Sequence, residues 1–115
     1  MPLAKSKVVS RKRRKKILRI AKGYRGGKSR LLKTAKESVE RSMLYAYRDR
    51  RVRKREFRKL WIVRINAAVR PYGLNYSKFI QQLNKHHIQM NRKILADLAI
   101  MDPVTFSKIV KSVQN

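Results

Sequence analysis

Residues 48–59 read RDRRVRKREFRK, eight basic side chains in twelve positions, inside a longer stretch from Leu31 to Arg70 that holds neither proline nor glycine. That stretch is rich in Ala, Leu, Arg, Lys and Glu, which favour helix, so the sequence predicts one long helix across it. At about 100° per residue the eight basic side chains fall round the whole cylinder and leave no face for packing on a protein core. Like charges recur four residues apart at Arg50 with Lys54, Arg51 with Arg55, Lys54 with Arg58 and Arg55 with Lys59. Asp49 with Arg53, and Glu56 with Arg53 and Lys59, offset only part of that repulsion. Such a helix is expected to be marginal until anions surround it.

The whole chain carries the same signal: 115 residues, 32 Lys or Arg against 6 Asp or Glu, and a formal net charge of +26. A charge of this size repels itself, so the compact state needs a polyanion, and the expected partner is nucleic acid. An anionic membrane surface is the other polyanion that composition admits. The longest uncharged run, Pro71 to Ser77, is seven residues, whereas a spanning helix needs about 20 mostly apolar ones. Val8 and Val9 make no apolar region of signal-peptide length, and Lys or Arg recurs from Lys5 onward, so secretion by that route is not expected. Cysteine is absent, which removes disulfides and Cys-rich metal sites.

Charge and apolarity are distributed unequally. Up to Lys59 there are 24 basic and 4 acidic residues, net +20; after it 8 and 2, net +6. Large apolar residues number 17 of 59 before the cut and 24 of 56 after it, so only the second part is expected to bury a core. The predicted organisation is all-α: a basic extension over residues 1–59, made of a short helix, a glycine break and a long helix, then a compact four-helix domain over residues 60–115. In that domain Leu60, Trp61, Ile62, Ile65, Ala68 and Val69 form one apolar stripe, closed by Pro71 and Gly73. Asn75 can cap a helix carrying Tyr76, Phe79, Ile80 and Leu83, and Asn91 one in which Ile94, Leu95 and Leu98 point one way. Asp102 before Pro103 supplies a cap with proline at the first helical position, ahead of Phe106, Ile109, Val110 and Val113. Period-two alternation bounded by hairpin turns is not seen, and no sheet is expected.

Six consecutive basic residues, Arg11 to Lys16, precede Ile17, Leu18 and Ile20, and Gly23, Gly26 and Gly27 then interrupt. A rod charged on every side suits a crevice of folded RNA, where phosphates surround it, and arginine forks can bind phosphate or stack on bases. The plainer alternative is a solubilising tail. Tyr45, Tyr47 and Phe57 can stack on exposed bases or pack along the rod. Trp61 lies on the apolar stripe and reads as core. Arg64, Asn66, Arg70, Lys78, Arg92 and Lys93 remain on the C-terminal helices after the core stripes are assigned, as RNA contacts or solvated groups.

Catalysis finds little support. Gly27, Lys28 and Ser29 resemble the end of a phosphate-binding loop, but its first glycine would fall at Lys22, and no buried strand precedes it. The glycines are expected instead to let the backbone turn and approach a phosphate chain. His86 and His87 are the only histidines, point apart and lack further ligands, so they read as a surface pair or an RNA contact. Asp49 and Glu56, embedded among arginines, suit salt bridging rather than proton transfer. Neither a metal nor a cofactor nor a small-molecule substrate is expected.

The order of the motifs is itself informative: YAYRDRRVRKREFRK (45–59) runs into LWIVRINAA (60–68), then YSKFI (76–80) and NRKILAD (91–97), with RKRRKKILRIAKGYRG (11–26) ahead of them. This combination resembles the bacterial-type large-subunit ribosomal protein L-twenty family over nearly the whole chain. The resemblance implies an extension, helical when bound, that threads into large-subunit ribosomal RNA, and a helical domain seated on the RNA surface. It also implies a role in early subunit assembly, neighbouring large-subunit proteins as partners, repression of its own message, and a ribosome in a bacterium, plastid or mitochondrion. RNA contacts would fall on Arg11, Lys12, Arg13, Arg14, Lys15, Lys16, Lys22, Tyr24, Arg25, Lys28, Arg30, Arg48, Arg50, Arg51, Arg53, Lys54, Arg55 and Arg58, with Arg92 and Lys93 in the C-terminal domain. Pro71 departs from the expected pattern: it disfavours helix at Arg70 and is expected to stop the long helix early.

Two rival readings predict different features. A DNA-architectural protein should show a dimer interface or a groove-reading motif, and neither is found. A membrane-active cationic helix needs one continuous apolar face, which residues 48–59 lack.

Overall fold

The structure is a computed structural model that describes residues 7–114. The first six residues of the predicted extension, and Asn115 at the other end, lie outside the described residues. Five α-helices follow one another: α1 (Lys7–Ile20), α2 (Leu32–Val69), α3 (Tyr76–Lys85), α4 (Arg92–Met101) and α5 (Pro103–Gln114). Short 3-10 turns occupy Gly26–Ser29 and Arg70–Tyr72, and no strand occurs among the described residues. The fold is all-α, as the residue pattern predicts. The chain divides into two compact units, Met1–Arg51 and Val52–Asn115.

In the first unit, α1 and the start of α2 bury Ala21, Ala35 and Val39, flanked by Ile17, Leu18 and Tyr24. Composition predicts a core only in the second part, and this small cluster corrects that expectation. Ala21 and Ala35 are fully buried; with no side chain beyond Cβ they need few apolar atoms to fill the space between two elements, which a count of large residues overlooks. The intervening turn uses left-handed backbone at Gly23 (φ 90°) and Gly26 (φ 66°), conformations that only glycine adopts without strain. Gly27 then anchors the start of α2, its carbonyl oxygen accepting from the Leu31 amide at 2.8 Å and the Thr34 hydroxyl at 2.9 Å.

Helix α2 is 38 residues long and ends at Val69, one residue before the position that Pro71 disfavours. A 3-10 turn follows, with Pro71 near its start and Gly73 left-handed at φ 73°, and the amides of Gly73 and Leu74 return to the carbonyls of Arg70 and Val69. These bonds satisfy acceptors that the helix end would otherwise leave open.

The second unit packs the last turns of α2 with α3, α4 and α5. Its core is Ile65, Val69, Leu74, Phe79, Leu83, Leu95, Ala96, Phe106, Val110 and Val113, with Trp61 and Ala68 among the partly buried residues at its edge. The Phe79 and Phe106 rings lie 5.8 Å apart and tilted, joining α3 to α5. All three expected caps form: Asn75 accepts from the Lys78 amide at 2.8 Å, Asn91 from the Ile94 amide at 2.8 Å, and Asp102 from the amide and hydroxyl of Thr105. Two stripe assignments need correction. Leu60 and Ile94 are exposed, and on α4 it is Ala96, adjacent to Leu95, that turns inward. Apolar identity alone does not reveal which edge of a wide stripe the neighbours cover.

Candidate nucleic-acid interface

The candidate interface is built from cations that the helices hold in water. On α1, Arg11, Lys12, Arg13, Arg14, Lys15 and Lys16 are all exposed. In the turn after it Lys22, Arg25, Lys28 and Arg30 are exposed, with Lys28 at the end of the 3-10 turn. Tyr24 differs from these: it is half-buried beside Ala21 and Ala35, and its hydroxyl donates to Ser42 Oγ at 3.1 Å. Tyr24 therefore has a packing role whatever else it touches.

Along the middle of α2, Arg48, Arg50, Arg51, Arg53, Lys54, Arg55, Arg58 and Lys59 are every one exposed. The described neighbours offer them little compensation. Arg48 Nε donates to Asp49 Oδ1 at 2.9 Å, and Lys59 Nζ to Glu56 Oε1 at 2.9 Å. The expected pairing of Glu56 with Lys59 forms, whereas Asp49 is taken by its chain neighbour Arg48 rather than by Arg53. The hydrogen bond from Arg48, aided by the charge of Asp49, raises the arginine's pKa further and keeps it cationic. With more than half of each side chain in solvent, these ion pairs contribute little to stability. The eight cations leave one arc of about 120°, held by Asp49, Val52 and Glu56, and Val52 is the one residue of the run that is half-buried.

The aromatic residues beside this run are exposed as well. The Arg48 guanidinium lies over the Tyr45 ring at 5.0 Å, and that of Arg51 over the Tyr47 ring at 4.7 Å while donating to its hydroxyl at 2.7 Å. Phe57 lies 6.3 Å from Trp61, which reaches the core edge. Both readings of these aromatics therefore have a basis: they pack along the rod and still present surface.

In the second unit Arg70, Lys78 and Lys93 are exposed and Arg64 and Arg92 half-buried. Arg70 and Lys78 line one shallow polar recess with Gly73 and Asn75. Arg92 Nε donates to Tyr76 Oη at 2.6 Å, and Asn66 Oδ1 accepts from the Tyr76 amide at 3.1 Å. Both side chains thus join elements within the domain. His86 caps α3 and His87 is left-handed at φ 54°; no group of three or more His, Asp or Glu residues suited to a metal occurs among the described residues. Among the described residues no helix is long and apolar enough to cross a membrane.

One feature escaped the sequence reading. Between the glycine turn and α2, a half-open cleft of about 570 Å³ is lined by Tyr24, Arg25, Lys28, Glu37, Arg41 and Tyr45, among others. Its walls are mostly apolar ring and stem surface with a cationic rim. Arg41 lies outside every basic run, so nothing in the linear pattern signals it.

An all-helical, strongly basic chain whose cations stay in solvent over most of two elements has the build of a protein that binds a folded polyanion. Comparison makes the class specific: the family described as ribosomal protein L20 matches residues 3–109, and the chain belongs to that family. It is 60% identical over 111 residues to the large ribosomal subunit protein bL20 of Carboxydothermus hydrogenoformans, covering 96% of this chain and 95% of that one. The bL20 protein of Acaryochloris marina is 61% identical over 103 residues, covering 90% and 89% of the two chains. That of Syntrophus aciditrophicus is 57% identical over 110 residues, covering 96% and 92%.

Proposed function

We propose that this chain is a structural constituent of the large ribosomal subunit that binds large-subunit ribosomal RNA directly, supports early subunit assembly and carries out no catalysis. The observation that supports it most is the middle of α2, where eight cations stand exposed around most of the helix circumference with two partial carboxylate partners. Binding to one side of a duplex needs a single basic face. A helix charged over most of its circumference gains most when phosphates enclose it, which folded RNA can do. The exposed cations of α1 and the glycine turn, and separately those of the second unit, offer further phosphate contacts. Neighbouring large-subunit proteins are further partners in this reading. Repression of its own message is an extension of it, since any RNA fold of matching shape competes for the same side chains.

The test is equilibrium binding of the full chain to large-subunit ribosomal RNA fragments and to duplex DNA of equal length, at one fixed salt concentration. Tighter binding to the RNA is expected, and anionic vesicles should fail to displace it. Equal affinities would favour an architectural DNA-binding protein, and displacement by vesicles a membrane-surface one.

A further inference from the structure

The cleft between the glycine turn and α2 contains something that a phosphate site should not. Glu37 lines it together with Arg25, Lys28 and Arg41, and a carboxylate repels phosphate. Tyr24, fixed by its bond to Ser42, and Tyr45, half-exposed beside Arg48, contribute aromatic wall on which a planar ring can stack. Its volume of about 570 Å³ lies within the range of pockets that hold small organic ligands. Exposed cations, aromatic rings in the wall and one carboxylate acceptor among the lining residues are the parts that a nucleotide requires.

We propose that this cleft receives a single unstacked guanosine of the bound RNA. The choice of base follows from the carboxylate. Arg41 Nη2 donates to Glu37 Oε1 at 2.8 Å, and an ionised carboxylate has room for about four donors in all. Guanine alone among the four bases presents two adjacent donors, N1–H and the N2 amino group, on its Watson–Crick edge. Adenine and cytosine place an acceptor beside their amino group, and uracil flanks its one N–H with two carbonyls. Arg41 orients Glu37, Tyr24 and Tyr45 hold the ring, and Arg25 and Lys28 hold the flanking phosphates. A bidentate pairing of this kind is the strong form of charge-assisted hydrogen bond. This assignment rests on the RNA-binding reading above and names the base that one part of the surface takes.

The experiment is ultraviolet crosslinking of the full chain to a large-subunit ribosomal RNA transcript, with the crosslinked peptide and nucleotide identified by mass spectrometry. A crosslink from Tyr24 or Tyr45 to one guanosine is expected. Replacing that guanosine by inosine, which keeps N1–H and loses the N2 amino group, should weaken binding by roughly tenfold, the scale of one bidentate base contact. Glu37→Gln retains helix content and should lose the discrimination between guanosine and inosine, whereas a purely structural Glu37–Arg41 pair would leave that discrimination unchanged. Free guanosine monophosphate at millimolar concentration should not abolish the crosslink, because one phosphate replaces few of the RNA's contacts; if it fills the cleft without RNA, the RNA-borne assignment is overturned. Crosslinks from these tyrosines to several bases at random, or none while the RNA stays bound, overturn the guanosine assignment alone. Failure of the RNA to bind at all overturns the broader reading instead.

Discussion

At the scale of single residues, the clearest contributions lie at helix starts and in the small cores. Asp102 accepts the Thr105 hydroxyl and amide, and these hydrogen bonds hold its carboxyl below the usual carboxylate range. A folded-state pKa lower than the unfolded one gives stability that is complete above the unfolded value and lost as pH falls through the folded one. Acid melts of the full chain should therefore show a loss of stability in that window that Asp102→Asn abolishes, read by the fluorescence of the single Trp61. In the core, Phe79 is fully buried against Phe106, and Phe79→Ala should cost about 3–5 kcal/mol. If its melt matches the parent's, the α3–α5 packing is misassigned. The caps were legible in sequence because Asn75, Asn91 and Asp102 stand just before apolar periodicity begins. The sequence offers Arg92, Asn66 and Tyr24 as polar positions open to RNA, and in the fold they also bond or pack within their own units. Nothing local in a sequence tells which polar side chain finds a partner ten or more residues away.

At the scale of elements, α2 was legible as one helix because no proline or glycine interrupts residues 31–70. Its end was legible from Pro71 and Gly73. The docking of α1 on α2 was not, because its buried residues are two alanines and a valine, with Ile17, Leu18 and Tyr24 only partly covered. That contact predicts a strong size limit at Ala35, which is fully buried: Ala35→Leu overpacks it, at a cost of about 1–3 kcal/mol. Loss of protection of the α1 amides in hydrogen exchange, with the second unit unchanged, is the expected outcome; protection equal to the parent's would show that α1 is held by something else. For the charged middle of α2, Arg51→Ala with Arg55→Ala should weaken RNA binding and flatten the salt slope by about 1.4–1.8, the value for two phosphate contacts. The Trp61-monitored melt should not move, since both side chains are exposed and face no core. A lowered melt would mean that residues 51–55 support the second unit's fold.

For the whole molecule, the deciding quantity is how many cations act together. Exposed runs of six on α1 and eight on α2 are more than isolated ion pairs can neutralise, since the described partners in these runs are Asp49 and Glu56 alone. Sequence made this imbalance legible from the net charge of +26, though it smoothed over the arc that Asp49, Val52 and Glu56 occupy. If an RNA encloses α2 and also meets α1, roughly ten phosphates are neutralised, and log affinity should fall with log salt at a slope of about −7 to −9. If RNA meets one face only, about half of those cations remain in solvent and keep their counterions, and the slope is correspondingly shallow. Filter binding of the full chain to large-subunit ribosomal RNA across a salt series separates the two. A slope near about −2 corresponds to two or three phosphates and would sink the enclosed-helix reading, because so few contacts could not offset the repulsion among the like charges spaced four residues apart along α2.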